Sequence, residues 1–253
     1  MARAAQRDLA VEHRPENIRD RLARPKGQSA LGDFVLGGVD GVVTTFAVIA
    51  GSAGGQLSVG AILILGFANL VADGFSMGVS NYLGTRSRQQ EVSRARADEV
   101  WQLDANPDGE RREIREIFAA KGLEGSALDH VVDVITSDRE IWIDTMMAEE
   151  LKLSEFSARP LRAAFATFAA FLLCGLIPML PFFVVNAPFG SMALASTAFA
   201  GATFLGLGVA KGMVLGLPPL RSGLQTLAIG GVAAALAYLT GVLLHQMFGI
   251  AAS

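Results

Sequence analysis

FATFAAFLLCGLIPMLPFFVV, residues 165–185, is a run of 21 residues without a single charge. At about 1.5 Å of rise per residue such a helix is roughly 30 Å long, the thickness of a bilayer's hydrocarbon core. Its surroundings extend the same reading. No acidic residue follows Glu155, and after Arg162 the only basic ones are Lys211 and Arg221. A water-facing domain needs charge spread along its whole length, so this half of the chain reads as membrane. Ser191–Ala210 and Gly223–Leu244 supply two more spans. Upstream, Phe34–Ala53 is a fourth apolar segment and Leu57–Leu83 a fifth, the latter interrupted by Asn69, Asp73 and Asn81. The expectation is an all-α integral membrane protein with five transmembrane helices.

Composition agrees once it is divided. Mean hydropathy is +0.42, with 51% hydrophobic and 18% charged residues, but these values average unlike segments. Four parts are expected: a polar cytoplasmic tail (1–30), helices one and two (31–84), an acidic helical insert (85–160) and helices three to five (161–253). The insert carries 17 Asp/Glu against 11 Lys/Arg, a net −6, which suits a cationic partner and not nucleic acid. The first 30 residues hold seven Lys/Arg with no apolar core, so they are not read as a secretory signal. The lone Cys174 permits no intrachain disulfide.

Lysine and arginine set the orientation. Seven precede the first span, twelve lie between Arg86 and Arg162, and Arg221 sits between the last two spans. The segments Gly54–Gln56 and Asn186–Gly190 have none. The N-terminus and insert are therefore expected in the cytoplasm and the C-terminus outside, with a prokaryotic inner membrane as the expected location.

Within the insert, Gln89–Leu103 continues the second span as polar helix. Asn106-Pro107 predicts a helix start, and Lys121-Gly122 its end. Ser137 with Glu140 predicts a capping box opening a helix over Asp138–Leu151.

The candidate chemistry lies in a few carboxylates. Asp33, Asp40 and Asp73 occur in or at the edge of apolar helices, where a carboxylate costs at least about 2.5–3.5 kcal/mol unless it meets a partner or pathway. Asp33 and Asp40 share one helix face, as do Asp73 and Met77. Met77 by itself reads as apolar filler, and Asp33 as an interfacial residue satisfied by water or by its helix N-terminus. In the insert, Glu99, Glu110, Glu113, Glu116, Met146, Met147, Glu149 and Glu150 stand out. Thioether beside carboxylate suits Fe²⁺ or Mn²⁺ better than Mg²⁺ or Ca²⁺. The alternative is solvated glutamates, with Met146 and Met147 packed on Ile141, Trp142 or Ile143. Gly37 with Gly41, and Gly208, Gly212 and Gly216, read as ridges for close helix packing. Lys211 is expected to snorkel from the end of helix four. His130 and His245 have no companion at ligand spacing.

Taken together, Asp40-Gly41, Ser76-Met77-Gly78, Met146-Met147 with Glu150, Thr167-Phe168 through Gly175–Phe182, and Gly208–Gly212 resemble the vacuolar iron transporter family over about Leu31 to Phe248. The resemblance implies a homodimer exporting Fe²⁺ or Mn²⁺ from the cytosol in exchange for protons, with the path between the two copies of helix one. By position, Asp40 and Met77 are implied as intramembrane metal ligands. Glu99, Glu110, Glu113, Met146, Met147 and Glu150 are implied as the insert's site, with Asp33 at a cytoplasmic mouth. Gln102 stands where another acidic ligand is expected, leaving one amide oxygen, and Asn81 replaces a common Glu.

Other classes fare worse. There is no GxxxxGK[ST] loop for a nucleotide motor and no Glu-x-x-His pair for a di-iron oxidase, so no enzyme and no catalytic cofactor are expected. A membrane-anchored metal buffer or sensor remains the alternative, although it leaves Asp40 without a purpose.

Overall fold

The computed structural model describes residues 9–23, 30–153, 158–184 and 187–249. The 1–30 tail falls partly outside them. Among the described residues the chain is helical throughout, without strands: α1 (Leu9–Glu12), α2 (Pro15–Ala23), α3 (Ala30–Gly54), α4 (Val59–Ala105), α5 (Pro107–Ala119), α6 (Gly125–Thr136), α7 (Arg139–Glu149), α8 (Pro160–Leu176), α9 (Phe189–Leu215) and α10 (Pro219–Phe248). Five helical stretches are long and apolar enough to cross a membrane: α3, α4, α8 with its continuation to Phe183, α9 and α10. Most of the chain falls into two compact units, one holding Gln28–Leu83 and Arg159–Ser253, the other Gly84–Ala158.

In the first unit, glycine brings helix backbones together. A Cβ on Gly41 would stand 2.8 Å from Phe171 Cα and 2.9 Å from its carbonyl carbon, and one on Gly37 would overlap the Thr167 backbone. Helix α3 therefore lies directly on α8. Gly208 and Gly212 do the same for α9 on α10, where a Cβ would come 2.7 Å from Gly223 Cα and 2.8 Å from Pro219 Cα. Gly216 departs from the expected ridge. It caps α9 at φ +66°, with nothing within 4 Å of a Cβ, so it ends the helix and packs against nothing. Gly41→Ala should lower the melting temperature of the purified protein, at a cost of about 1–3 kcal/mol typical of overpacking. Gly60→Ala, where nothing lies within 4 Å, is the control and should leave it unchanged.

The third span is not one continuous α-helix. After Leu176 it tightens into a 3-10 segment, Ile177–Phe183. Pro178 and Pro181 explain the change, because each removes a backbone N–H and its ring crowds the preceding turn. On α10, Ile229, Val232, Leu236, Leu239 and Leu243 are all more than half exposed at helical spacing. That stripe is suited to lipid.

Within Gly84–Ala158 the apolar core is Leu103, Ile114, Leu128, Val132, Trp142, Ile143, Met146 and Met147. Asn106 Oδ1 accepts from Gly109 N at 3.1 Å and Pro107 takes the first turn of α5, as the sequence predicts. The cap of α7 is a correction. Asp138 supplies it, accepting from Glu140 N at 2.9 Å and Ile141 N at 3.1 Å. Ser137 ends α6 instead, its hydroxyl donating to Val134 O. Both residue types can cap; the carboxylate is one position closer to the N–H groups left open by α7.

Candidate metal sites

Part of the acidic surface of Gly84–Ala158 is paired with arginine. Arg96 pairs with Asp144 and Glu140, Arg111 with Asp133, Arg115 with Asp129, and Arg139 with both oxygens of Asp104 at 2.6 and 2.9 Å. Lys121 takes Glu149. Glu99, Glu110, Glu113 and Glu150 have no such partner among the described residues. Instead they act on one another. Glu99 is 2% exposed, and its pKa is pushed up to about 7, first by burial and then by the charges of Glu150, Glu110 and Glu113. Glu110, 5% exposed, is raised by burial, then by Glu113 and Glu150. Glu150 is raised by desolvation and by Glu113. Glu149 goes the other way, held below its ordinary value by the hydrogen bond from Lys121.

Three helices deliver these groups. Glu99 comes from the polar end of α4, Glu110 and Glu113 from the first turns of α5, and Glu150 from the C-terminal cap of α7. Met146 and Met147 are buried beside Trp142 and Ile143 in the apolar core, so both fill space there. Gln102 is exposed, as are Glu113, Glu116 and Glu150. Among the described residues no three of His, Cys, Asp or Glu converge closely enough to hold an ion as placed. The four glutamates are thus an electrostatic cluster and not a closed coordination cage.

In the other unit, Asp40 is half-buried on α3 and lines a cavity of about 560 Å³ together with Val43, Lys211 and Thr226. Asp73 lies within electrostatic reach of it. Met77 does not line that cavity; it packs against a cluster containing Phe171 and Met179. Asp33 lies in the first turn of α3 and is buried at 3% exposure, so protein groups and not water satisfy it. Its carboxylate accepts from Asn81 Nδ2 at 2.9 Å, and the same amide lies 2.7 Å from Thr167 Oγ1 and 3.3 Å from Ala163 O. Asn81 thereby ties α3, α4 and α8 together. Neither that role nor the opening of Asp40 and Lys211 onto one cavity was evident from sequence, since each joins residues far apart in the chain.

Five membrane-length helices, with Asp33 and Asp40 in α3 and Asp73 in α4, define a multi-pass helical membrane protein. Residues 31–242 match the VIT family, and the chain belongs to that family. Over 224 residues it is 34% identical to the Vacuolar iron transporter of Toxoplasma gondii, covering 85% of this chain and 74% of the relative. Vacuolar iron transporter 1 of Arabidopsis thaliana is 33% identical over 81% of this chain and 82% of its own length. The Vacuolar iron transporter of Centaurea cyanus is 35% identical over 81% and 84%.

Proposed function

We propose that this protein moves Fe²⁺ or Mn²⁺ out of the cytosol in exchange for protons, as a homodimer with Asp40 on the path. The observation that carries the reading is the set of four glutamates, Glu99, Glu110, Glu113 and Glu150, that have no cationic partner among the described residues and act on one another. Holding Glu99 and Glu110 buried near other carboxylates disfavours their charged forms, and a divalent cation relieves that repulsion. In this reading Glu99, Glu110, Glu113 and Glu150 collect the ion, Gln102 can add one amide oxygen, and Met146 and Met147 stay in the apolar core as packing. Asp40 receives the ion in the membrane, with Met77 and Asp33 as candidate neighbours on the route. The names of the relatives support iron as cargo. The lysine and arginine distribution supports a cytosolic N-terminus and glutamate cluster. A buffer or sensor would leave the Asp40 cavity unused.

Metal flux into proteoliposomes tests transport. Because carboxylates bind either a proton or the metal, flux should rise when the side opposite the metal is acidified, and metal entry should acidify the donor side. A flux indifferent to the pH gradient at fixed voltage would leave uniport and remove the exchange mechanism.

A further inference from the structure

Helices α4 and α8 leave an open apolar groove of about 340 Å³ between them. Phe75, Val79 and Tyr82 form one wall, and Leu161, Phe165 and Phe168 the other. The floor is small: Gly78 and Ala164 meet there, and a Cβ on Gly78 would stand 3.3 Å from Ala164 O. At about 1.5 Å per residue the groove runs about 10 Å along both helices. Its walls are open, with Phe75 66% exposed, Leu161 76% and Phe165 72%. Counted at 3.6 residues per turn, this face of α4 is opposite the one that carries Asp73 and Met77, so the groove is separate from the proposed ion path.

Leu161 marks the end of the groove at which α8 begins, and the charge there has one sign. Arg159 caps α8 and Arg162 follows Leu161 directly; both are exposed, and neither has an acidic partner among the described residues. No acidic residue lines the groove or occurs in α8. Adjacent Cα atoms are about 3.8 Å apart, and Arg162 neighbours the groove residue Phe165, three positions on, across the helix surface. A group seated at this end is therefore within reach of an arginine stem. An apolar groove alone would not choose among lipids, because their tails are equally apolar. A guanidinium does choose: its planar fork matches a phosphate, and it favours headgroups of net negative charge. We propose that this groove binds an anionic glycerophospholipid, with one acyl chain between α4 and α8 and the headgroup held by Arg159 and Arg162. A zwitterionic lipid fits the same groove but gains less, because its own ammonium offsets the phosphate. A lipid held in this way braces α4 against α8 where their own side chains leave a gap. The site stands apart from the transport reading and does not depend on it.

The test uses the full-length protein, taken from vesicles of equal phosphatidylglycerol and phosphatidylcholine into mild detergent and weighed intact by native mass spectrometry. Retained phosphatidylglycerol should exceed phosphatidylcholine by roughly five- to thirtyfold, each arginine at an anionic headgroup contributing about fivefold. The double variant Arg159→Gln, Arg162→Gln should bring that ratio close to one, whereas Arg159→Lys, Arg162→Lys should keep most of it. Val79→Trp, which fills the groove from its rim, should reduce retained phosphatidylglycerol with both arginines in place. Equal retention of the two lipids by the wild type would overturn the site, as would a preference that survives the double glutamine variant. Undiminished phosphatidylglycerol on Val79→Trp would overturn it too, since the arginines would then attract lipid without the groove. Loss of an oligomer in Val79→Trp, in place of lipid, would assign the groove to a second copy of this chain and remove the lipid.

Discussion

Asp40→Asn should stop metal flux while the protein still folds and inserts. The substitution keeps the shape of the side chain and removes only the charge, so the close contact at neighbouring Gly41 against the Phe171 backbone survives. What disappears is the carboxylate at which an ion within the spans can shed its water. Removing one partner of a desolvated ionic contact costs about 3–5 kcal/mol, so flux should fall by roughly a hundredfold or more. Asp73 is near enough to act on Asp40 electrostatically but is not in the cavity lining, and it should not rescue the variant. Gel filtration and circular dichroism must match the wild type for the comparison to count. Undiminished flux through Asp40→Asn would take Asp40 off the path.

The five spans were legible because their evidence is local: uncharged runs of membrane length, bounded by charge. The insert helices were legible for a similar reason, although the choice between Ser137 and Asp138 as cap turned on one residue of register that composition does not fix. The break at Ile177 follows from Pro178 and Pro181, both visible in sequence, within a run apolar enough to mask them. What stayed hidden is tertiary. Glu149 and Glu150 are adjacent and chemically identical, yet packing gives the first to Lys121 and leaves the second among other glutamates. Asn81 reaches Asp33 across 48 residues and Thr167 across 86. Periodicity along a chain cannot sort such cases, because the deciding partner lies on another helix. The two methionines show the converse. Their spacing beside Glu150 suggested ligands, and the structure shows why the same spacing also serves a core.

Metal binding by residues 84–158 should strengthen about tenfold or more between pH 6 and pH 8. Glu99, with its pKa pushed up to about 7, is mostly protonated at the first pH and mostly ionised at the second. A ligand must lose its proton before it binds, so one such group alone changes affinity by about tenfold across this window. Burial and neighbouring carboxylates also raise Glu110 and Glu150 above the ordinary glutamate value, but Glu99 sets the window. Stability of the metal-free segment should move oppositely. A carboxyl whose folded pKa lies above its unfolded one contributes stability that is fully present below the unfolded value, near 4.5 for Glu99. That contribution is lost as pH rises through the folded value, near 7. The segment should therefore melt lower at pH 8 than at pH 5.5, and added Mn²⁺ should restore it by mass action. Asp104 and Glu149, held below their ordinary values by Arg139 and Lys121, titrate beneath this window and leave the trend intact. Glu99→Gln separates the causes. It removes the buried charge, so it should raise the melting temperature at pH 8 without metal, weaken metal binding and flatten the pH dependence of affinity. Calorimetric titration of wild type and Glu99→Gln at both pH values measures all of this. If both bind with the same affinity at pH 6 and pH 8, the unpaired glutamates are only a strained acidic patch, and capture of the cation falls to Asp40 alone.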